Sequence, residues 1–383
     1  MFASDMKAYN DELEKGIKGK NVCVIGGAGS IGSSFIKALL PFRPSSLTVV
    51  DYNENGLAEL IRDLRSLKGM YVPEQLSLYP IDYSSGIFKK LFLDRHGFEI
   101  VANFSAHKHV RSEKDKYSVE ALIRNNLFNA KELLDMLSLY PPEVYFCVST
   151  DKAANPVNIM GASKRIMEDL AFSYSDRFPV KTARFANVAF SNGSLLDGFL
   201  VRINKGQPLT GPTDVQRFFV SPDESGQICL LACIVADNRE ILFPKLDERQ
   251  MMSFDIIGRQ LLETLGYQVE ECGSDEEALE FAEGLRNGGN RYPVHFSVSD
   301  TSGEKKYEEF FTEKETIDMS RFASLGVIVG KIKPDQEQIE ILLKVLEDAF
   351  FNNDSKETIL NVLKGYLPDF HHVETGRNLD GKM

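Results

Sequence analysis

Over its first half the chain alternates short apolar runs with longer amphipathic stretches. The runs at 21–25, 47–51, 76–81, 100–105, 144–149 and 180–188 are rich in Val, Ile, Leu and Phe and predict strands. They are apolar nearly throughout rather than alternating with polar positions, which predicts strands buried on both faces. Between them, 31–40, 54–68, 85–95, 117–139 and 160–177 carry helical spacing. Strand–helix alternation of this kind predicts an α/β fold with a doubly wound parallel sheet.

Past residue 190 the pattern loosens. Residues 191–222 hold four Gly and three Pro and predict loop, with a helix at 195–205 and another at 222–236. A mixed region follows to 330, with an acidic helix at 274–286, read as a solvated face, and a loop at 287–290. Two amphipathic helices are predicted over 334–366. The expected organisation is a domain at 1–190 to which 218–245 returns. A smaller lobe with the C-terminal helices takes 191–217 and 246–366, and 367–383 is a polar tail.

Charge and composition narrow the function classes. The 383 residues carry 44 Lys and Arg against 56 Asp and Glu, a net charge of −12, with no basic block. Phosphate backbones are bound by clustered cations, so a nucleic-acid role is not expected. The most apolar stretch, 228–236, is too short to span a bilayer, and the polar, mixed-charge N-terminus is not a signal peptide. Cys23, Cys147, Cys229, Cys233 and Cys272 are an odd count without a CxxC pair. They predict reduced core thiols in a cytoplasmic protein, and no metal site.

Two stretches carry candidate chemistry. In VCVIGGAGSIGSSF, Gly26, Gly29 and Gly32 follow a strand and open a helix. Such a loop lets the chain turn tightly, brings backbone N–H groups to a pyrophosphate and packs the helix closely on the strand. Asp51 ends the next strand, 19 residues past Gly32, where a carboxylate suits a ribose 2′-OH. NAD is therefore expected rather than NADP, whose 2′-phosphate Asp51 would repel. Asp82 and Tyr83 end the third strand, either against an adenine or as a strand-terminating turn. In CVSTDKAANPVNIMGASKR, an apolar strand delivers Thr150, Asp151 and Lys152 to the sheet's carboxyl edge, where ligands bind. A hydroxyl, an acid and a base at one strand end are equipped for proton transfer. The next helix sets Met160 and Lys164 four residues apart on one face.

With these motifs the chain resembles the extended short-chain dehydrogenase/reductases. Within them it is similar to the polysaccharide-biosynthesis 4,6-dehydratases of UDP-N-acetylglucosamine. The matching stretches are GGAGSIG, FSAHKHVRSEKD, NNLFNA, VSTDKAANPVNIMGASKR, RFANVAFSNGS, RFFVSPDES and GEKKYEEF, in order from residue 21 to about 315. The resemblance implies a Rossmann domain with a smaller C-terminal substrate lobe and a homo-oligomer. It also implies an internal redox cycle in which NAD(P)+ takes hydride from C4 of the sugar, water leaves across C5 and C6, and hydride returns to C6. On this pattern Lys152 is the C5 base, Asp151 the acid at the C6 oxygen, Thr150 a partner of O4, and Lys164 a ligand of the nicotinamide ribose. Ser30, Ile31, Ser105 and Asn126 join the glycines around the cofactor. Lys108 and His109 lie over cofactor and sugar, with a plain polar loop as the competing reading of His109. Asn187, ending the sixth strand, and Arg217 meet the diphosphate, and 303–305 lines the nucleotide.

One departure stands out. The superfamily's usual Tyr-x-x-x-Lys is here Met160-Gly-Ala-Ser-Lys164, and a thioether has no acid–base function. The O4 proton then needs another acceptor, either Asp151 or a water chain, and Met160 is expected to face the nicotinamide and sugar. Two other functions compete with dehydration. One is a 4-epimerase, which normally uses the missing Tyr; the other is an inactive binding protein for NAD(P) or UDP-sugar.

Overall fold

In the computed structural model the described residues are 1–109, 113–285, 289–299, 305, 307 and 309–372. The chain divides into two compact units. The larger holds Met1–Phe185, Pro222–Lys245 and Glu309–His372, and the smaller holds Ala186–Ser221 and Leu246–Glu308.

The larger unit is built on a sheet of nine strands among the described residues. Strands β1 (Asn21–Ile25), β2 (Ser46–Asp51), β3 (Gln75–Pro80), β4 (Ile100–Asn103), β5 (Val144–Thr150) and β6 (Val180–Phe185) are parallel, in the order β3-β2-β1-β4-β5-β6. Every residue of β2 and β6 is buried, as a sheet covered on both faces requires. Helices Ser30–Leu39 and Pro222–Ile234 pack together in one layer. In the other, Ile159–Ser173 packs against Asn129–Leu137 and Gln336–Phe351. The connection from β1 to β2 runs one way and that from β3 to β4 returns to the far side of β1. The strand order therefore reverses between β1 and β4, which opens a crevice at their carboxyl ends. The architecture is the Rossmann-like doubly wound α/β fold expected from the sequence.

Three differences from the sequence reading bear on function. The sixth run stops as a sheet strand at Phe185; Asn187–Val188 is a separate two-residue strand in the smaller unit, paired with Phe219–Val220. The stretch read as one helix over 117–139 is interrupted. Lys116–Ile123 and Asn129–Leu137 are α-helical, and Arg124–Phe128 between them is a π-turn. The C-terminal residues 309–366, expected in the lobe, group instead with the larger unit. There Leu325–Val329 pairs antiparallel with Ile241–Pro244, which itself runs parallel to β6, and Thr316–Asp318 adds to the edge.

The smaller unit carries a three-stranded parallel sheet, Gln268–Glu271, Arg291–Ser297 and Leu209–Pro212. Leu196, Phe199, Leu209, Val215, Phe254, Leu262, Tyr292 and Val294 form its core. The five cysteines are free and buried, and burial pushes the thiols of Cys147 and Cys233 up to about 12, so they are inert core groups. Among the described residues no helix is long and apolar enough to cross a membrane, and no cluster of His, Cys, Asp and Glu could hold a metal.

Candidate active site

The glycine loop sits at the reversal point. Gly26 has φ +73°, and a Cβ there would lie 2.8 Å from the backbone nitrogen of Ser105, so the turn and the close approach to the end of β4 both demand glycine. Gly29 is the N-cap of Ser30–Leu39 and brings no side-chain acceptor to the first turn. Helix N-terminal N–H groups in that state suit an anion. Ser30 and Ile31 open the helix, and Gly32 is buried in its first turn. Asp51 is buried at the end of β2. Its Oδ2 accepts the N–H of Ala28 at 3.0 Å and its Oδ1 that of Asn53 at 2.9 Å, so the carboxylate is fixed against the glycine loop. Ser105, past the end of β4, donates its N–H to the side chain of Asn103 at 2.9 Å.

Asp82 forms a strand-terminating turn in which its Oδ1 accepts both the N–H and the hydroxyl of Ser84 at 2.9 Å. Tyr83 is buried, and burial pushes its phenol well up from its ordinary value; its hydroxyl donates to the carbonyl of Asn125 at 3.1 Å. That bond joins the third strand's end to the π-turn. Asn126, buried within that turn, works as a clamp. Its Oδ1 accepts the N–H of His107 at 2.9 Å, and its Nδ2 donates to the carbonyl of His107 and to Ser163 Oγ, both at 3.0 Å. Burial lowers the His107 imidazole from its usual value. Lys108 and His109, the next two residues, are exposed. A π-turn widens the helix by one residue per turn and is often found where a side chain must leave the helical register.

At the end of β5 three side chains form one hydrogen-bonded group. Thr150 Oγ1 donates to Asp151 Oδ1 at 2.7 Å; the same oxygen accepts the backbone N–H of Lys152 at 2.9 Å and its Nζ at 3.1 Å. Asp151 is 3% exposed, and Lys152 is partly open. The helix Ile159–Ser173 is set against this group. A Cβ on Gly161 would come within 2.6 Å of the carbonyl oxygen of Lys152, so glycine permits the contact. Asn158 caps the helix by accepting the N–H of Gly161 at 2.7 Å. Glu113, in the FSAHKHVRSEKD stretch, supplies a second cap: its carboxylate accepts the N–H of Ile159 at 2.9 Å and of Met160 at 2.8 Å. Met160 is 2% exposed, and its carbonyl accepts from Ser163 Oγ at 2.7 Å, which completes the chain Asn126–Ser163–Met160. Lys164 is buried with Nζ donating to the carbonyl of Val148 at 2.9 Å. Burial lowers its pKa to about 8, partly offset by the negative charge of Glu168 and by Cys147.

Glu113 and Ser163 were not singled out from sequence. A carboxylate capping a helix 46 residues away leaves no local pattern, whereas Ser163 lies inside the recognised motif and only its partner was unreadable.

In the smaller unit, Asn187 donates its N–H to the carbonyl of Phe218 at 3.2 Å, in the short strand pair described above. Arg217 is 5% exposed and donates to the carbonyls of Gln216 and Lys305 at 2.8 and 2.9 Å. It is thus a buried guanidinium on a short strand. Gly303 and Glu304, read from sequence as nucleotide-lining, lie outside the described residues.

An uncharacterized membrane protein of Methanocaldococcus jannaschii is 28% identical over 91% of this chain and 96% of its own length. The probable polysaccharide biosynthesis protein EpsC of Bacillus subtilis is 27% identical over 79% of the chain, which spans about half (47%) of that relative. The inverting UDP-N-acetylglucosamine 4,6-dehydratase of Campylobacter jejuni is 24% identical over 78% of this chain and 84% of its own length. Among solved structures, Pen from Bacillus thuringiensis superimposes with TM-score 0.67 at 20% identity, over 86% of this chain and 98% of that one. DesIV, a dTDP-glucose 4,6-dehydratase of Streptomyces venezuelae solved with NAD, gives TM-score 0.54 at 19% identity, over 73% and 88%. At such identities the structures share the fold. A family model described as polysaccharide biosynthesis protein matches residues 22–328, well over half of the sequence, and the chain belongs to that family.

Proposed function

We propose that the protein is an NAD-dependent nucleotide-sugar 4,6-dehydratase acting on UDP-N-acetylglucosamine. The observation that carries this reading is the linked group Thr150–Asp151–Lys152 at the carboxyl end of β5, beside a helix whose tyrosine position is Met160. The named Campylobacter jejuni relatives support the substrate class.

The chain's residues fit the cofactor: a side-chain-free helix N-cap at Gly29 for the pyrophosphate, and Asp51, with two oxygens fixed at the loop, for an unphosphorylated ribose. When bound, NAD+ supplies a reversible hydride acceptor. The protons are left to the protein. Thr150 Oγ1 hydrogen-bonds the sugar O4 and takes the O4 proton as it passes its own to Asp151 across the 2.7 Å bond, a route that does without a tyrosinate. Asp151 then delivers that proton to the C6 hydroxyl, which leaves as water. Lys152 is the base that removes the C5 proton and returns it after elimination. Asn187 and Arg217 contribute to diphosphate binding, the guanidinium by pairing two oxygens. Lys108 and His109 contribute to the sugar.

The test is to incubate the protein with UDP-N-acetylglucosamine and follow the sugar by NMR. A UDP-4-keto-6-deoxy-N-acetylhexosamine is the expected product. The C4 epimer instead would make the protein an epimerase, the activity named for a Rickettsia typhi relative 27% identical over 73% of this chain. An unchanged sugar would leave only binding.

A further inference from the structure

Behind the Thr150–Asp151–Lys152 group lies a buried carboxylate the mechanism does not use. Glu168 is fully buried on the same helix as Lys164, one turn further on. Its Oε1 accepts the hydroxyl of Ser149 at 2.6 Å and Arg184 Nε at 2.8 Å, and its Oε2 accepts Arg184 NH2 at 2.7 Å. Arg184, on β6 and also fully buried, is held on its other side by Glu315 at 2.8 and 2.9 Å and by the carbonyl of Phe310 at 3.0 Å. A bidentate guanidinium–carboxylate pair is stiff and directional. A buried ion pair is a poor source of stability compared with apolar packing, so its retention calls for another reason. Ser149 supplies one. It is the residue immediately before Thr150, and its side chain leaves the strand toward Glu168.

We propose that Glu168 is a positioning residue for the reaction: clamped by Arg184, it holds Ser149 and thereby fixes the strand end from which Thr150 and Asp151 work. The pair acts at a distance from the sugar, through one hydroxyl. A small error in placing reacting groups can cost up to ~100-fold in rate, so one hydrogen bond at this place is worth having. The negative charge of Glu168 also sustains the Lys164 ammonium against burial.

The inference rests on the dehydratase reading, and the experiment separates the two. Ser149→Ala removes the tether but leaves the Glu168–Arg184 pair whole. The expected result is a fall of roughly 10- to 100-fold in kcat for 4-keto product, with KM for UDP-N-acetylglucosamine unchanged. Amide hydrogen exchange over residues 148–154 of the ligand-free protein should become faster, with the rest of the chain and Tm unaffected. Ser149→Thr, which keeps the hydroxyl, should recover most of the loss. Glu168→Asp, which withdraws the carboxylate by one methylene, should lower kcat similarly. The double variant Ser149→Ala/Glu168→Asp should lose clearly less than the product of the two single losses, because both interrupt the Ser149–Glu168 bond. Wild-type turnover in Ser149→Ala, or unchanged exchange over 148–154, overturns the proposal, and so does a kcat loss that merely follows a drop in Tm. If Glu168→Asp does not fold, Ser149→Ala still decides. If the wild-type chain makes no keto sugar, the dehydratase reading fails, while the exchange measurement still tests the tether.

Discussion

At the scale of single residues, Asp151 and Lys152 are adjacent in sequence and in contact through side chains, so their roles must be separated by isotope rather than by rate alone. Lys152→Ala should abolish solvent deuterium exchange at C5 and, with it, product formation. Asp151→Asn should slow loss of water while nucleotide binding persists. Acid–base groups contribute about 10²–10⁴-fold, so each loss should be plain. Should Lys152→Ala exchange C5 deuterium at the wild-type rate, the base is another group. Lys164 offers a pH signature. Its folded pKa of about 8 lies below the unfolded 10.5, so the folded state carries a buried-charge penalty in full below pH 8. That penalty is relieved as pH rises from 8 to 10.5, because over that window the unfolded chain binds the extra proton. Lys164→Met should therefore be stabilised relative to wild type most at pH 7, and the gap should narrow by pH 10 in thermal melts. A gap that stays constant across the window would place the shift elsewhere. These side chains were legible in the sequence because glycine loop, Asp51 and VSTDK each sit within one turn or strand end. Glu168 was not, because its meaning lies in Ser149 and Arg184, 19 residues before it and 16 after it.

At the scale of elements, the start of the helix Ile159–Ser173 decides where Met160 stands. Its first N–H groups are taken by Glu113 and Asn158, both buried acceptors. Glu113→Ala would leave two buried donors unsatisfied, which costs about 1–3 kcal/mol each before relaxation. Urea unfolding should show a loss of at least ~1 kcal/mol, the usual value of a cap, and turnover should fall as the helix start shifts. Glu113→Gln keeps one acceptor oxygen and should lose less in both. Equal stability for Glu113→Ala and wild type would mean water serves those donors as well. The helix itself was legible from spacing, and so was the one before it. The π-turn at Arg124–Phe128 was not, since its periodicity differs from an α-helix by one residue and the partners of Asn126 within it lie on two other segments.

At the scale of the molecule, the larger unit is closed by its own C-terminal segment. The runs Ile241–Pro244 and Leu325–Val329 are apolar enough to read as strands, yet nothing local says that the second returns antiparallel beside the first. Nor does local pattern reveal that Glu315 and Lys331 complete a buried cluster with Arg165, Glu168, Asp169 and Arg184. That cluster is where the sequence-based boundary at 246–366 went wrong, because it binds the segment to the sheet through charges that no periodicity records. It also makes the segment's loss predictable. Burial would raise the Glu315 carboxyl, but the hydrogen bonds and charge of Arg184 hold it below its usual value. Its contribution to stability is thus present above the unfolded carboxylate range and fades as pH falls through the lowered folded value. Glu315→Ala leaves the buried Arg184 with one acid partner, Glu168, among the described residues, and Lys331 with one acid fewer. Removing one partner of a buried pair costs about 3–5 kcal/mol, a large share of a domain's net stability. The variant should unfold at markedly lower urea than wild type at pH 7, and the difference should shrink as the pH is lowered toward 3, where wild type loses the same interaction. A difference that does not depend on pH would mean Glu315 acts by packing, and the electrostatic account of how this segment is held would then fail.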